Sequence, residues 1–361
     1  MDLLENPLEH PEKFHISEDL GFILEDPLEE LPDRYQLWVK LAKNLSSLVE
    51  KGQFRKEAEQ VLPRNIAVPF CDLSKKLGLP PIMVYADCVL ANWKKKDPLG
   101  SMTYDNMDTL FAFPGGDCSK GFFLVSLLVE KAAASAMKII PDIFEAVRKK
   151  NLESLKESLQ SVASSVSEAH KMFQLVHEHV NPNDFFNVLR VFLAGWKNSS
   201  LLPKGLIYEG VSETPMEFAG GSAAQSSIMQ CFDALLGIQH TTENDEKSAK
   251  YLEEMRNYMP LPHKIFLEAV ASHSSVRDFV SSSGDTQLKK AYNECVKALV
   301  HIRNYHLQVV NKYIITPSSE QESAKGQKSS DDEVKGTGGT HLLVFLRSVR
   351  DTTKQALLEE S

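Results

Sequence analysis

The chain has 361 residues, of which 42% are hydrophobic and 25% are charged, a balance typical of folded globular proteins rather than disordered or fibrous ones. Its 49 acidic and 40 basic residues give a formal net charge of -9, so the average field would repel a phosphate backbone, and nucleic acid is excluded as a partner. At roughly 150 residues per domain, the length predicts about two domains.

The N-terminus and the cysteines indicate a cytoplasmic protein. Residues 1–7 have neither the basic region nor the long apolar region of a secretory signal. The five cysteines are dispersed singly, without a CxxC pair, as is usual for a reduced intracellular chain. The longest apolar stretch, residues 121–129, is too short to span a bilayer. We therefore expect a cytoplasmic location and no membrane association.

The first third of the chain combines a helix with irregular structure. Apolar side chains recur at three- and four-residue spacing from Tyr35 to Leu48, behind Asp33 as a candidate cap, and this spacing predicts a helix. Proline-bounded pieces follow at 62–69 and 80–81, and these favour extended or turn conformations. A Pro-Gly-Gly turn signal after Phe113 marks a boundary. The sequence therefore predicts a small, irregular, mostly helical N-terminal domain over residues 1–113.

Helical periodicity dominates the remainder and predicts a mainly α fold, with a large all-helical domain over residues 114–361. Helices are expected at 141–150, 152–179 and 182–196, separated by Asn, Pro and Gly turn signals. Residues 316–339 are almost all small, polar or charged, which predicts a mobile loop. Beyond it, Thr340 is the expected cap of a C-terminal amphipathic helix that begins near Leu342.

One histidine lies in an otherwise apolar helical stripe, made by Leu288, Tyr292, Cys295, Leu299, Ile302, His306, Val309 and Tyr313. A buried imidazole is costly unless its nitrogens find a hydrogen bond or a metal. His301 cannot share a metal with His306, because five residues place them about 140° apart around the helix. A haem needs as few as one protein ligand. The pattern leaves two readings open, a hydrogen-bonded core histidine and a lone axial ligand.

Arg190 and Ser126 also lie on apolar helix faces. Arg190 shares a face with Phe186 and Leu193, so its guanidinium would either bind a carboxylate between aromatic rings or reach out to solvent. Ser126 follows Phe122 by one turn, so its hydroxyl would either bond a backbone carbonyl or face a ligand.

Three further segments contain patterns that occur in binding sites. The glycine-rich pieces at 218–222 and 335–340 lack the nucleotide-binding patterns, and they are either flexible turns or receivers of a carboxylate or ammonium group. Residues 206–211 fit a phosphotyrosine recognition pattern, although such short patterns often occur by chance.

Several long strings resemble the indoleamine 2,3-dioxygenase family. The most specific are LPRNIAVP at 62–69, PPIMVYADCVLANW at 80–93 and DCSKGFFLVS at 117–126. Further similarity extends over 185–197, 206–225, 295–312 and 335–340, so the resemblance covers nearly the whole chain. It is nearer to the first of the two vertebrate paralogues.

The resemblance implies a ferrous haem b (heme b) enzyme that inserts both atoms of O2 across the indole C2–C3 bond of L-tryptophan and related indoleamines. The product would be N-formylkynurenine, in the first step of the kynurenine pathway. It also implies a monomer with a role in immunity. No acid–base residue is expected, because the haem carries the oxygen chemistry and the protein supplies an axial ligand and a dry site.

The resemblance also assigns residues to the site. His306 would be the proximal iron ligand, and Arg303 and Asp233 would hold the propionate region. Ser222 and Ala223, also expected near the cofactor, would close over the amino-acid end of the substrate together with Gly221 and Thr337. Arg190 would pair with the substrate carboxylate. The indole would be surrounded by Tyr85, Cys88, Val89, Phe122, Phe123, Ser126, Phe185, Phe186 and Leu193.

The chain departs from the family at one point. Between Gln60 and Val61 the family has an additional stretch bearing an apolar helix, and here the sequence passes straight on. If that helix buries about five large side chains at roughly 2 kcal/mol each, its loss approaches 10 kcal/mol. A poorly packed small domain is therefore expected. The alternative function is that of a truncated, catalytically impaired member that acts through binding or signalling.

Overall fold

The computed structural model describes residues 6–27, 61–199, 202–241, 247–324 and 334–359. The helix predicted over 35–48 and the residue before Val61 lie outside these ranges. Most of the described residues are helical, which confirms the predicted mainly α fold. The division into two domains at residue 113 stays a prediction.

The α-helices of the described ranges vary from single turns to seven turns. They are α1 Arg64–Leu77, α2 Asp117–Ala133, α3 Ile140–Lys149, α4 Leu152–Gln174, α5 Val176–His179, α6 Pro182–Asp184, α7 Arg190–Leu193, α8 Ser227–Leu235, α9 Lys247–Met255, α10 Leu261–His273, α11 Val276–Ser282, α12 Thr286–Val310, α13 Thr316–Ala324 and α14 Leu342–Gln355. The 3-10 helices are Pro11–Phe14, Tyr104–Asn106, Ala134–Ile139, Ala223–Gln225 and Arg256–Tyr258, and π-helical turns occupy Ala86–Leu90, Phe185–Leu189 and Asn311–Ile315.

Strands make a minor contribution to the described structure. Each has two residues: β1 Val61–Leu62, β2 Lys94–Lys95, β3 Met107–Asp108 and β4 Ile207–Tyr208. β1 pairs in parallel with β4, and β2 pairs antiparallel with β3. In the described part of the chain, no helix has both the length and the apolar character needed to cross a membrane.

Two long helices begin at side-chain caps that their sequences supply. The Asp285 carboxylate accepts a hydrogen bond from the backbone N–H of Leu288 at 2.8 Å, at the start of α12. The Asn151 side chain accepts one from Ser154 N–H at 3.2 Å, at the start of α4. Such caps satisfy N–H groups that the helix itself leaves unpaired.

Helix α12 connects the two main hydrophobic cores. It packs against α4 and α14, and α4 also packs against α2. The residues of its stripe from Leu288 to Ile302 lie in one core with α4, α8 and α10. Val309 and Tyr313 lie in the second core, with α2 and the segment around Val89. His306 therefore stands where the two cores meet, and the predicted stripe is confirmed as the buried face.

Several predicted local features differ from the structure. The piece 62–69, predicted as extended or turn, is mostly helical, because α1 begins directly after Pro63 and contains Pro69. The helix predicted over 182–196 ends at Leu193. The segment that begins the predicted loop at 316 is helical in α13, because it continues the turns of Asn311–Ile315, and its glutamate, glutamine and alanine residues favour helix. Residues 325–333 lie outside the described ranges. Thr340 does not cap α14, which begins after His341, and its side chain lies within reach of the Tyr251 hydroxyl instead. The helix predicted over 152–179 is interrupted at Leu175.

The Asp285 cap provides a test of how α12 is stabilised. We expect Asp285→Ala to lower the free energy of unfolding by about 1 kcal/mol, because the N–H of Leu288 loses its partner. Asp285→Asn should retain most of the stability, since asparagine caps equally well. Urea denaturation followed by circular dichroism measures both variants. An Asn variant as unstable as the Ala variant would contradict the capping role.

Candidate functional site

A large apolar cavity lies beside His306 and brings together residues that are far apart in the sequence. Its walls include all the predicted site residues except Phe123, Phe186 and Asp233. The predicted residues that line it are Tyr85, Cys88, Val89, Phe122, Ser126, Phe185, Arg190, Leu193, Gly221, Ser222, Ala223, Arg303, His306 and Thr337. The cavity also borders Phe173, Glu130, Ser226, Tyr313 and Phe345, which the sequence did not indicate.

Each of the three π-helical turns contributes a wall of this cavity. Cys88 and Val89 lie in the turn Ala86–Leu90, Phe185 lies in Phe185–Leu189, and Tyr313 lies in Asn311–Ile315. A π turn inserts an extra residue and so rotates the side chains that follow it. These turns often mark functional sites, and here they direct side chains into a single space.

Two of the three exceptions support the cavity wall from behind. Phe123 is 2% exposed and contacts Phe113 and Phe122, with ring centroids 4.8 and 5.7 Å apart. Phe186 is partly buried, and the guanidinium carbon of Arg190 lies 5.6 Å from its ring centroid. The structure thus places both rings next to the lining residues rather than among them.

The His306 imidazole is neutral at physiological pH. Burial, reinforced by the nearby positive charge of Arg303, lowers the pKa of His306 to about 4. Its ring packs edge-to-face on Phe173, with centroids 5.7 Å apart. A neutral imidazole has a nitrogen lone pair free to bind a metal. No three metal-ligating side chains converge within the described ranges, so this site suits a metal that brings its other ligands with it.

Asp233 does not line the cavity, but its carboxylate holds Arg303 in place through an ion pair. Nη2 of Arg303 lies 2.8 and 2.7 Å from the two carboxylate oxygens of Asp233, and His240 Nε2 lies 3.0 Å from one of them. Burial alone would raise the pKa of Asp233, but Arg303 and His240 outweigh it and hold that pKa at about 2. The other nitrogen of His240 contacts Thr352 Oγ1 at 2.7 Å. The network therefore links α8, α12 and α14.

Arg190 places an incompletely paired guanidinium at the cavity. Nη2 donates a hydrogen bond to the Lys335 carbonyl, but the buried Nε–H has no partner among the residues that the structure describes. Burial lowers the pKa of Arg190, and no acidic side chain of the described residues offsets that effect. A buried, unpaired donor on a planar cation is suited to a carboxylate from outside the chain.

Glu130 forms a buried polar centre that the sequence reading missed. Its Oε1 accepts hydrogen bonds from the hydroxyls of Tyr85 at 3.0 Å and Ser226 at 2.6 Å, while Oε2 is buried without a partner. Burial raises the pKa of Glu130 to about 7, against the opposing effect of these bonds. The feature of the sequence that could have indicated a buried carboxyl group is the position of Glu130, one turn after Ser126 on a largely apolar helix.

Two glycine-rich loops close one end of the cavity. Thr337 Oγ1 donates to the Gly221 carbonyl at 2.6 Å, and the N–H of Gly220 donates to the Thr337 carbonyl at 3.2 Å. A Cβ on Gly220 would lie 2.2 Å from the Leu193 carbonyl oxygen. Only glycine allows this approach, so the loop sequence is explained by the packing.

Comparison with known proteins identifies the family. The model of the family described as indoleamine 2,3-dioxygenase matches residues 10–61 and 55–356. The chain belongs to the indoleamine 2,3-dioxygenase family. It is 50% identical to the mouse protein indoleamine 2,3-dioxygenase 1, over 96% of this chain and 95% of the relative. It is 39% identical to human indoleamine 2,3-dioxygenase 2, with the same coverage, which confirms the greater similarity to the first paralogue.

The match to the family model is divided at the place of the predicted break. The two stretches that match the family model meet at residues 55–61. The alignment with the mouse relative spans 389 positions, more than the 361 residues of the chain, so the relative carries additional residues. A protein named myoglobin from Haliotis madaka is also similar, at 33% identity over 95% of this chain and 97% of the relative.

The raised pKa of Glu130 predicts how stability depends on pH. The pKa of Glu130 in the folded protein, about 7, exceeds the ordinary value of 4.5. The contribution of this carboxyl group to the free energy of unfolding is therefore complete below about pH 4.5 and is lost as the pH rises through 7. Glu130→Gln cannot ionise. Between about pH 4.5 and 8, we expect the free energy of unfolding of the wild type to fall by about 3 kcal/mol relative to that of this variant.

Urea denaturation at a series of pH values measures the difference. The exposed Glu157→Gln substitution on α4 is the matched control, and it should leave the pH dependence of the wild type unchanged. Parallel stability curves for wild type and Glu130→Gln would show that Glu130 does not titrate in this range.

Proposed function

We propose that this protein is a haem-dependent dioxygenase that adds both atoms of O2 across the indole C2–C3 bond of L-tryptophan, giving N-formylkynurenine. One observation carries the proposal: the neutral imidazole of His306 and the incompletely hydrogen-bonded guanidinium of Arg190 border the same apolar cavity. The relatives named indoleamine 2,3-dioxygenase support this reaction over other haem chemistry. In this proposal the protein acts in the cytoplasm, in the first step of tryptophan catabolism through kynurenine.

The residues around His306 fit a haem b. His306 would hold the iron, and Arg303, fixed by Asp233, would pair with the propionate groups. Ser222 and Ala223 border the cavity and would contact the cofactor. When bound, the haem supplies the activation of O2. The surrounding walls are mainly apolar and exclude water from the reacting atoms.

The substrate would be oriented by its carboxylate and by its indole ring. Arg190 would bind the carboxylate with its free Nε–H, while Phe122 and Phe185, whose ring centroids are 4.9 Å apart, would contact the indole. The loops that bear Gly221 and Thr337 would close over the amino-acid end. Fixing both ends of the substrate lowers the entropic barrier to reaction.

Two polar side chains next to the aromatic wall, those of Ser126 and Cys88, are poorly suited to acid–base catalysis. Ser126 donates its hydroxyl hydrogen to the Phe122 carbonyl at 2.9 Å, which is the first of the two partners predicted from the sequence. The Cys88 thiol points at the Tyr85 carbonyl at 3.7 Å, and burial raises the pKa of Cys88. These groups would shape the pocket rather than transfer protons.

The rival reading, a binding or signalling protein without activity, is not favoured. Its motif at 206–211 centres on Tyr208, which is 0% exposed. The Tyr208 hydroxyl donates to the Pro81 carbonyl at 2.6 Å and accepts a hydrogen bond from Trp196 Nε1 at 2.9 Å. Phosphorylation would require this segment to unfold.

The relative named myoglobin suggests oxygen binding alone as a further possibility. Arg190 favours the dioxygenase over an oxygen carrier, because a simple oxygen carrier needs no partner for a substrate carboxylate.

Haem ligation is tested at His306. We expect His306→Ala to lose the Soret band of the haem-reconstituted wild type, because the only proposed axial ligand is removed. The matched control is His301→Ala, an exposed histidine on the same helix, which should bind haem as the wild type does. Absorption titration with haem measures both. A His306→Ala variant that kept the wild-type spectrum would refute the assigned ligand.

Substrate recognition is tested at Arg190. We expect Arg190→Gln to lower kcat/KM for L-tryptophan by about 100-fold, since a buried charge-assisted pair is lost. Arg190→Lys should recover only part of this loss, because a lysine lacks the planar fork. Formation of N-formylkynurenine, with the Soret band as a control for haem content, measures the effect. Undiminished kcat/KM in the Gln variant would argue against carboxylate binding by Arg190.

A further inference from the structure

The two glycine-rich loops that close the cavity meet at one side chain, Tyr251 of α9. This tyrosine is 8% exposed and does not line the cavity itself. Its hydroxyl lies within hydrogen-bonding reach of the side chains of Ser222, in the first loop, and Thr340, in the second. The phenol therefore joins the 218–222 loop to the 335–340 loop from outside the pocket.

The backbone of the second loop lies directly against this phenol. A Cβ added to Gly338 would lie 1.9 Å from the Tyr251 hydroxyl oxygen and 3.1 Å from the ring carbon that bears it. The ring in turn packs edge-to-face on Phe345 of α14, with centroids 5.0 Å apart. The tyrosine is thus held from behind while its hydroxyl contacts both loops.

The position of the second loop determines the surroundings of Arg190. The Lys335 carbonyl accepts a hydrogen bond from the Arg190 guanidinium. Two residues later, Thr337 bonds to Gly221 and Gly220 of the first loop. A shift of the second loop would therefore move both the partner of Arg190 and the cover over the amino-acid end of the pocket.

We propose that Tyr251 is a positioning residue that fixes the two loops, through its hydroxyl, in the arrangement that receives the substrate's amino-acid end. It acts through Arg190 and Thr337 and does not touch the substrate. The role rests on the proposed dioxygenase function for its kinetic consequence, but the contact between the loops and the hydroxyl is independent of that function.

The first experiment removes only the hydroxyl. Tyr251→Phe keeps the ring against Phe345, and we expect the backbone amides of residues 334–341 to exchange hydrogen about tenfold faster, measured by mass spectrometry on the haem-loaded protein. The KM for L-tryptophan should rise about tenfold, with kcat changed less than twofold. The matched control is Tyr292→Phe, which removes a buried hydroxyl that donates to the Leu236 carbonyl at 2.8 Å, outside the cavity lining.

The second experiment uses the close approach at Gly338. Gly338→Ala should raise the exchange rate and the KM in the wild-type background, because its methyl group would collide with the Tyr251 oxygen. In the Tyr251→Phe background that oxygen is gone, and the nearest atom lies at 3.1 Å. The double variant should therefore be less impaired than the two single effects combined, as expected for groups in contact.

The outcomes separate this proposal from the proposed function. Faster exchange with a higher KM in Tyr251→Phe, but not in Tyr292→Phe, supports it. Unchanged exchange at residues 334–341 overturns it, and so does faster exchange with an unchanged KM. If the wild type itself forms no N-formylkynurenine, the proposed function fails, and the exchange rates together with the Gly338→Ala double variant still decide whether Tyr251 fixes the loops.

Discussion

The site depends on keeping one imidazole neutral at the edge of an apolar cavity. His306 achieves this because α12 is packed along its length, with one part of its stripe in the core around α4 and α8 and the other in the core around α2. Burial and the neighbouring charge of Arg303 both disfavour the protonated ring, and they lower the pKa of His306 to about 4. The same packing that stabilises the helix thus leaves its histidine with the free lone pair that the proposed haem iron requires.

The second constraint is that the positive charge of Arg303, next to this imidazole, must be paired with a negative charge because it is buried. Arg303 lies one helical turn before His306, and its guanidinium is paired with both oxygens of Asp233. His240 pairs with the same carboxylate, so the buried charges compensate one another. Because these residues come from α8, α12 and the segment after α8, the network also fixes how the helices around the cavity are arranged.

The sequence predicted the parts of the structure that follow a regular period. The stripe on α12 and the helix after Asn151 were both recognisable, because helical spacing and turn signals are local properties. The three π-helical turns were not, since each depends on the packing around it and not on a residue pattern. Glu130 was missed because its neighbours on α2 are apolar, and its partners Tyr85 and Ser226 come from distant segments. Thr340 was misread as a cap because its partner, Tyr251, is 89 residues away.

The break between residues 60 and 61 affects a surface that lies apart from the cavity lining. Helix α1, which follows the break, leaves Leu73 and Leu77 55% and 53% exposed, as expected if apolar partners have been lost. No residue of α1 lines the cavity. The nearest lining residues along the chain are Tyr85, Cys88 and Val89, and they are held from elsewhere: Tyr85 N–H donates to Gln225 at 2.9 Å, and its hydroxyl donates to Glu130. The break therefore adjoins an exposed apolar face of α1, while the hydrogen bonds that hold Tyr85 at the pocket are present in the described structure.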